Sequence, residues 1–228
     1  MPYNIMRNDI KMISKEQQQF IIACVEELLP VCLEESGFDP TVKEPGHSYG
    51  EKIEEILAEK LVKKYSDKFS LPEKLKGKGK QTRKMEDLIW KPTNDLINVK
   101  LGYEKGSGQP NMVAFNRLYK NYCSDVIDSY WIFVIDVSGN DKNNLTTKTY
   151  LFNLYDYLDY VNYNYGTGQV MLKESQFFAD YDSKVIFDNT KRDIVLKLKE
   201  IDNDAFISHI KLKEEQHKQR QEIFDAYL

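Results

Sequence analysis

Apolar positions along the chain follow two periods, and the change from one to the other divides it. After a Ser14-Lys-Glu-Gln17 capping box, Phe20, Ile21, Cys24, Val25, Leu28 and Leu29 recur every three or four residues, which predicts a first helix from Ser14 to Leu29, ended by Pro30. Residues 36–50 hold two prolines, three glycines and no period, and read as a loop. Ile53, Ile56, Leu57 and Leu61 then mark a second helix from about Gly50 to Tyr65. From Thr82 the pattern turns strand-like in MEDLIW, LINVKLG, YWIFVIDVSG and TYLFNLYDYL, with a helical recurrence over Met112–Cys123 between the second and third. Near the end, Thr190-x-x-Asp193 signals a helix start, Ile194, Val195, Leu198 and Ile201 share one face, and a charged helical tail runs to Leu228. This order predicts an α/β fold, a central mixed sheet flanked by helices, in one domain spanning 1–228. Its core covers about 48–160, with helical additions at 14–29 and 190–228.

Composition narrows the class. With 228 residues, 41% hydrophobic, and 15 Tyr, 11 Phe and 2 Trp, the chain has material for a sizeable core, which excludes global disorder. The longest apolar run, Tyr130–Val137, is far shorter than the ~20 residues of a membrane span and contains Asp136. MPYNIMRNDIKM lacks a secretory h-region, so the expectation is a cytoplasmic protein with no membrane partner. Cys24, Cys32 and Cys123 are odd in number, without CxxC spacing, and read as small buried hydrophobes. His47, His209 and His217 form no ligand motif.

Charge is unevenly spread. The net charge is −4, yet between Lys60 and Lys84 ten basic side chains face only Asp67 and Glu73, so that segment is +8 and the remainder −12. Such a block is the footprint expected where phosphates are held, since each Lys or Arg on a phosphate releases counterions. The competing reading is a solvated lysine-rich surface. Within it, LKGKGKQ (75–81) has the composition of a connection that orders against a ligand.

The candidate chemistry lies in the first two strand-like runs. In Leu96-Ile-Asn-Val-Lys-Leu101 a period of two puts Ile97, Val99 and Leu101 on one face and Asn98 and Lys100 on the other. Asp87 lies on the preceding run, and the turn residues KPTND fold the two into a hairpin where a carboxylate, an amide oxygen and an ammonium converge. The pattern Asp87-x10-Asn98-x-Lys100 resembles the PD-(D/E)XK nucleases, specifically type II restriction endonucleases in which Asn replaces the second acid. Gly50-Glu-Lys-Ile-Glu54-Glu-Ile-Leu57 is similar to the helix that presents an extra glutamate to the metal in many of these enzymes. Glu86 stands where the motif has Pro.

The resemblance, over roughly residues 48–137, implies a restriction-endonuclease-like core and a Mg²⁺-dependent phosphodiester hydrolase. Asp87 and Asn98 would hold Mg²⁺, Glu54 would assist, and Lys100 would orient the attacking water and stabilise developing charge. A type II enzyme further implies double-stranded DNA as substrate, a homodimer matching a palindromic target, and a cognate DNA methyltransferase in the same cell. Two alternatives stay open: a structure-selective repair or junction nuclease of the same fold, and a non-catalytic nucleic-acid-binding protein using the basic block alone.

Other residues carry weaker signals. Asp95, three residues before Asn98, falls in the turn; Asp136 ends an apolar strand; Gly106–Asn111 leads from strand to helix. Tyr155, Tyr157, Tyr160, Tyr163 and Tyr165 would stack on bases or, more commonly, form core. Gln169 and Lys173 have side chains suited to adenine and guanine edges in the major groove. The DNA-backbone candidates are Lys74, Lys76, Lys78, Lys80, Arg83 and Lys84. Neutralising several of these is expected to weaken binding to specific and non-specific duplex alike, with the slope of log affinity against log salt shrinking by about 0.9 for each phosphate no longer neutralised. An unchanged slope in a salt titration would leave the block a solvated surface.

Overall fold

The computed structural model describes residues 12–42, 45–72, 86–103, 111–139, 141–142, 144–184, 186 and 189–228. In chain order these form helices α1 (Lys15–Ser36) and α2 (Pro45–Lys64), strands β1 (Phe69–Ser70), β2 (Leu88–Trp90), β3 (Asp95–Tyr103) and β4 (Asn111–Ala114), and helix α3 (Phe115–Cys123). Strands β5 (Trp131–Ser138) and β6 (Thr146–Asn153), a 3-10 helix (Leu154–Tyr160), strands β7 (Val161–Asn164) and β8 (Gln169–Leu172), and helices α4 (Glu174–Asp180) and α5 (Lys191–Asp225) follow.

The two middle strands decide the layering. β5 sends Trp131, Phe133, Ile135 and Val137 to one side and Ile132 and Val134 to the other, and all six are buried. A strand apolar on both faces must be covered on both. The five-stranded sheet runs β1-β2-β3-β5-β6, mixed because β3 and β5 are parallel while the other neighbours are antiparallel. On one face α1 and α2 bury Ile21, Val25, Ile53, Leu57 and Leu61 against Ile97, Val99 and Leu101 of β3. The opposite face is covered by a second, antiparallel sheet in the order β4-β8-β7, together with the 3-10 helix, α3, α4 and the start of α5. The α/β class with a mixed central sheet therefore agrees with the sequence reading; the second sheet is an addition to it. Among the described residues no helix is long and apolar enough to cross a membrane.

Four boundaries differ from the sequence expectation. α1 continues through Pro30 to Ser36, because Pro30 lies on the exposed side and the next turn buries Cys32 and Leu33. α2 begins at Pro45 rather than near Gly50, proline being well suited to a first helical turn. Within Met112–Cys123 the first three residues belong to β4, whose register pairs Val113 with Val170, and the helix starts only at Phe115. The last strand-like run stops at Asn153, whose side chain accepts the Tyr130 N–H at 3.1 Å and donates to Asp156 at 3.0 Å, turning the chain into the 3-10 helix. Tyr155 and Tyr157 thereby become core: the Tyr155 hydroxyl donates to the Leu118 carbonyl at 3.1 Å, and Tyr157 packs on Phe152 and Phe177.

Pro30 inside an otherwise regular helix removes one N–H donor and crowds the preceding turn. Pro30→Ala is expected to stabilise the protein by roughly 3 kcal/mol in urea unfolding with an unchanged m-value. A neutral result would mean that α1 breaks there in solution.

Candidate active site

The hairpin is set by its turn. Asn94 takes the left-handed conformation (φ 59°), and the Asp95 carboxylate accepts from the Thr93 and Ser129 hydroxyls, which anchors the first residue of β3. Asp95 is thus a structural residue of the hairpin. β2 pairs with β3 only as far as Leu88 opposite Ile97, with one further bond from the Asp87 N–H to the Ile97 carbonyl at 3.0 Å. At the next position the Asp87 carboxylate takes the place of a strand partner, accepting the Val99 N–H at 2.7 Å. Lys100 folds over the same edge: its Nζ donates to the Val99 carbonyl at 2.7 Å and to the Glu54 carboxylate at 3.2 Å. Glu54 is held there by α2, whose neighbouring Ile53 and Leu57 are fully buried on the sheet.

Three of the four residues expected at the centre, Glu54, Asp87 and Lys100, are therefore linked. Burial pushes both carboxyl groups above the ordinary range, against the downward pull of Lys100; the Asp87 charge raises Glu54 further. Asn98 is also close along the strand but differently placed. It is buried, and its side-chain amide donates to the Tyr130 hydroxyl at 3.0 Å. The β3 face opposite Ile97, Val99 and Leu101 is thus interior at Asn98 as well, because the second layer covers it. Burial raises the Tyr130 phenol well above its usual value; the Asn98 hydrogen bond lowers it and the Asp87 charge raises it, which ties Tyr130 electrostatically to the site. Sequence reasoning missed Tyr130, whose only signal was its place heading an apolar strand.

A second pair of acids lies two residues further along β3. Gly102 leaves room for the Glu174 carboxylate, for a Cβ there would lie 3.3 Å from Glu174 Oε1 and 3.8 Å from Asp136 Oδ1. Burial, and then the Asp136 charge, push the Glu174 carboxyl up to about 7. Its signal in the sequence was Asp136 at the end of an apolar strand.

Of the remaining candidates, the described Gln169 and Lys173 are not at this edge. Gln169 opens β8 opposite Ala114 and Asn164. Lys173 turns to the Asp159 carbonyl at 3.0 Å. Lys74, Lys76, Lys78, Lys80, Arg83 and Lys84 lie outside the described residues, as does Gly106–Pro110. Lys60, Lys64 and Lys68, from the described part of the basic block, are ion-paired with Glu35, Glu27 and Asp67.

Among the described residues no group of three or more His, Cys, Asp and Glu side chains is placed to hold a metal ion. The donors at the β3 edge are two carboxylates with an amide nearby. Hard oxygen ligands of this kind suit Mg²⁺, and two desolvated carboxylates against one ammonium leave negative charge that a dication would offset. Compared with known proteins, the chain matches no family model and no curated protein.

Both carboxyl groups have folded values above their unfolded ones, so their favourable contribution is complete below the ordinary carboxylate range near pH 4 and is lost as pH rises through the folded values. Lys100 limits that loss. Lys100→Met is expected to cost little near pH 4 and about 3 kcal/mol by pH 8 in denaturant titrations. A deficit independent of pH would show that Lys100 does not balance these carboxylates.

Proposed function

We propose that the chain is a Mg²⁺-dependent type II restriction endonuclease with a restriction-endonuclease-like core, cutting double-stranded DNA at a specific sequence. The observation that supports this reading most is the convergence of Glu54, Asp87 and Lys100 on one edge of β3, from one helix and one hairpin. In this reading Asp87 and Glu54 bind the cation, with the amide of Asn98 as the neutral third donor. Mg²⁺, when bound, would supply charge for the phosphate and acidify water.

The chain's own residues carry the rest. Asp87 is oriented by the Val99 N–H, and so offers a carboxylate with one oxygen fixed. Lys100, held between the Val99 carbonyl and Glu54, is positioned to orient water and to stabilise charge developing on the phosphate oxygens. Tyr130 keeps the Asn98 amide from rotating. Burial makes these interactions stronger than the same groups would make in water. The basic segment 74–84 joins the Glu54 helix region to Asp87 along the chain, so phosphate contacts made by it would hold the backbone near the hairpin.

Purified protein is expected to convert plasmid to discrete fragments with Mg²⁺ and to leave it intact with chelator. Asp87→Ala and Lys100→Ala should each lower cleavage at least about a hundredfold while retaining the far-UV and near-UV circular dichroism of the wild type. Asn98→Asp should move half-maximal activity to lower Mg²⁺, since a carboxylate attracts the ion more strongly. Cuts confined to branched DNA would favour a repair or junction nuclease, and retarded but intact DNA a binding protein. Strong cleavage by the Asp87 or Lys100 variant would remove that residue from the mechanism.

A further inference from the structure

The first turns of α5 bury Ile194 and Leu198 in the core, but the next turns meet the second sheet through polar side chains. Glu200, Asp204 and Ser208 follow one another at one-turn intervals on the helix side, and β7 presents exposed Asn162 and Asn164. Polar groups on both walls keep their hydration in preference to closing on each other. Between them lies a cleft of about 500 Å³, a size typical of small-molecule sites. Its apolar lining comes from Leu158 and Val161, both buried, and from the partly buried Ile201.

The charges lining this cleft are not equally engaged. Lys197 bridges Asp159 at 2.9 Å and Glu200 at 3.1 Å, and Lys184 approaches Asp159 at 3.8 Å. The Lys197 hydrogen bond holds the Asp159 carboxyl below its usual range, so that carboxylate is both ionised and occupied. Lys173 is turned to the Asp159 carbonyl at 3.0 Å. Asp204, one turn beyond Glu200, makes no ion pair among the described residues. Past Asp204 the lining becomes aromatic: Tyr165 is exposed, with the Phe206 and His209 rings each 5.4 Å from its own.

We propose that the cleft between α5 and β7 binds a small organic monocation, an ammonium group on a short aliphatic body. The uncompensated Asp204 carboxylate attracts the ammonium, and the face of the Tyr165 ring adds a cation–π contact. Leu158, Val161 and Ile201 remove the aliphatic part from water. Charge selects against the other classes of ligand. A phosphate or carboxylate would meet three carboxylates with both lining lysines already engaged, so the DNA backbone is not the occupant. A second ammonium on the ligand would come up against Lys197 and Lys173, so a diamine gains nothing over a monoamine. A bare metal ion is poorly served, since among the described residues no three His, Cys, Asp or Glu side chains are placed to hold one and an apolar lining does nothing for a hydrated ion. The site does not depend on the nuclease reading and lies away from the β3 edge.

Titration of the full chain with n-butylammonium chloride at constant ionic strength, followed by nuclear magnetic resonance, is expected to shift the backbone amide signals of 161–165 and 200–209 to saturation. Sodium butyrate and 1-butanol, the anionic and neutral counterparts, should bind at least about fivefold more weakly, and 1,4-diaminobutane no more tightly than butylammonium. Asp204→Asn should weaken butylammonium about fivefold, the upper end for an exposed ion pair, and Tyr165→Leu about threefold, each with the circular dichroism of the wild type. Signals that do not saturate, or that move only around Glu54 and Asp87, would overturn the location of the site. A response that 1-butanol reproduces at equal concentration, or an affinity unchanged in Asp204→Asn, would overturn its preference for a cation.

Discussion

Backbone groups of a strand that are not paired in a ladder must be satisfied by other means, and among the described residues β3 has such groups beyond Ile97. Among the described residues β2 pairs with β3 no further than Ile97, and the Val99 N–H and carbonyl, next to a closed hydrophobic layer, take side-chain partners. An unpaired buried amide costs about 1–3 kcal/mol. Asp87 and Lys100 take up these two groups, the carboxylate on the N–H and the ammonium on the carbonyl. The same geometry that repairs the strand edge thus sets an acid and a base side by side, in a place where water is partly excluded.

Electrostatics then draw in the third member. Lys100 beside one carboxylate would be a balanced pair; Glu54 adds a second, and α2 is packed too firmly on the sheet for it to withdraw. The result is a cluster with more negative than positive charge and both carboxyl groups displaced upward. Such uncompensated charge is a cost to folding that a structural ion pair would avoid, and it is the condition under which a bound dication contributes most. Glu174 and Asp136, facing each other across Gly102, repeat the pattern two residues along the same strand.

The second sheet gives this edge its other wall. It covers the β3 face that carries Asn98, while Tyr130, just before β5, reaches the amide because β5 runs beside β3 in the central sheet. It also carries the β7–β8 turn against which α5 rests, so the same layer supports the site on one side and the projecting helix on the other.

Local patterns in the sequence determined the hairpin, its two periods and its caps. Ser14 with Gln17 and Thr190 with Asp193 close helix starts through contacts three residues apart, and the Asp87, Asn98 and Lys100 spacing follows from a short turn and a period of two. Glu54 could be placed on the flank of the α2 stripe for the same reason. What depends on distant neighbours was decided only in three dimensions. Pro30 stops a helix by local rules, but α1 passes it because Cys32 and Leu33 find a core beyond. Met112–Ala114 joins a strand because β8, more than fifty residues later, offers it a ladder. The burial of Asn98 was decided in three dimensions, because alternation tells which face a residue takes, not what covers that face. Its bond to Tyr130, the closeness of Glu174 to Gly102 and the free length of α5 all arise from elements far apart in sequence, whose meeting is set by packing of the whole molecule.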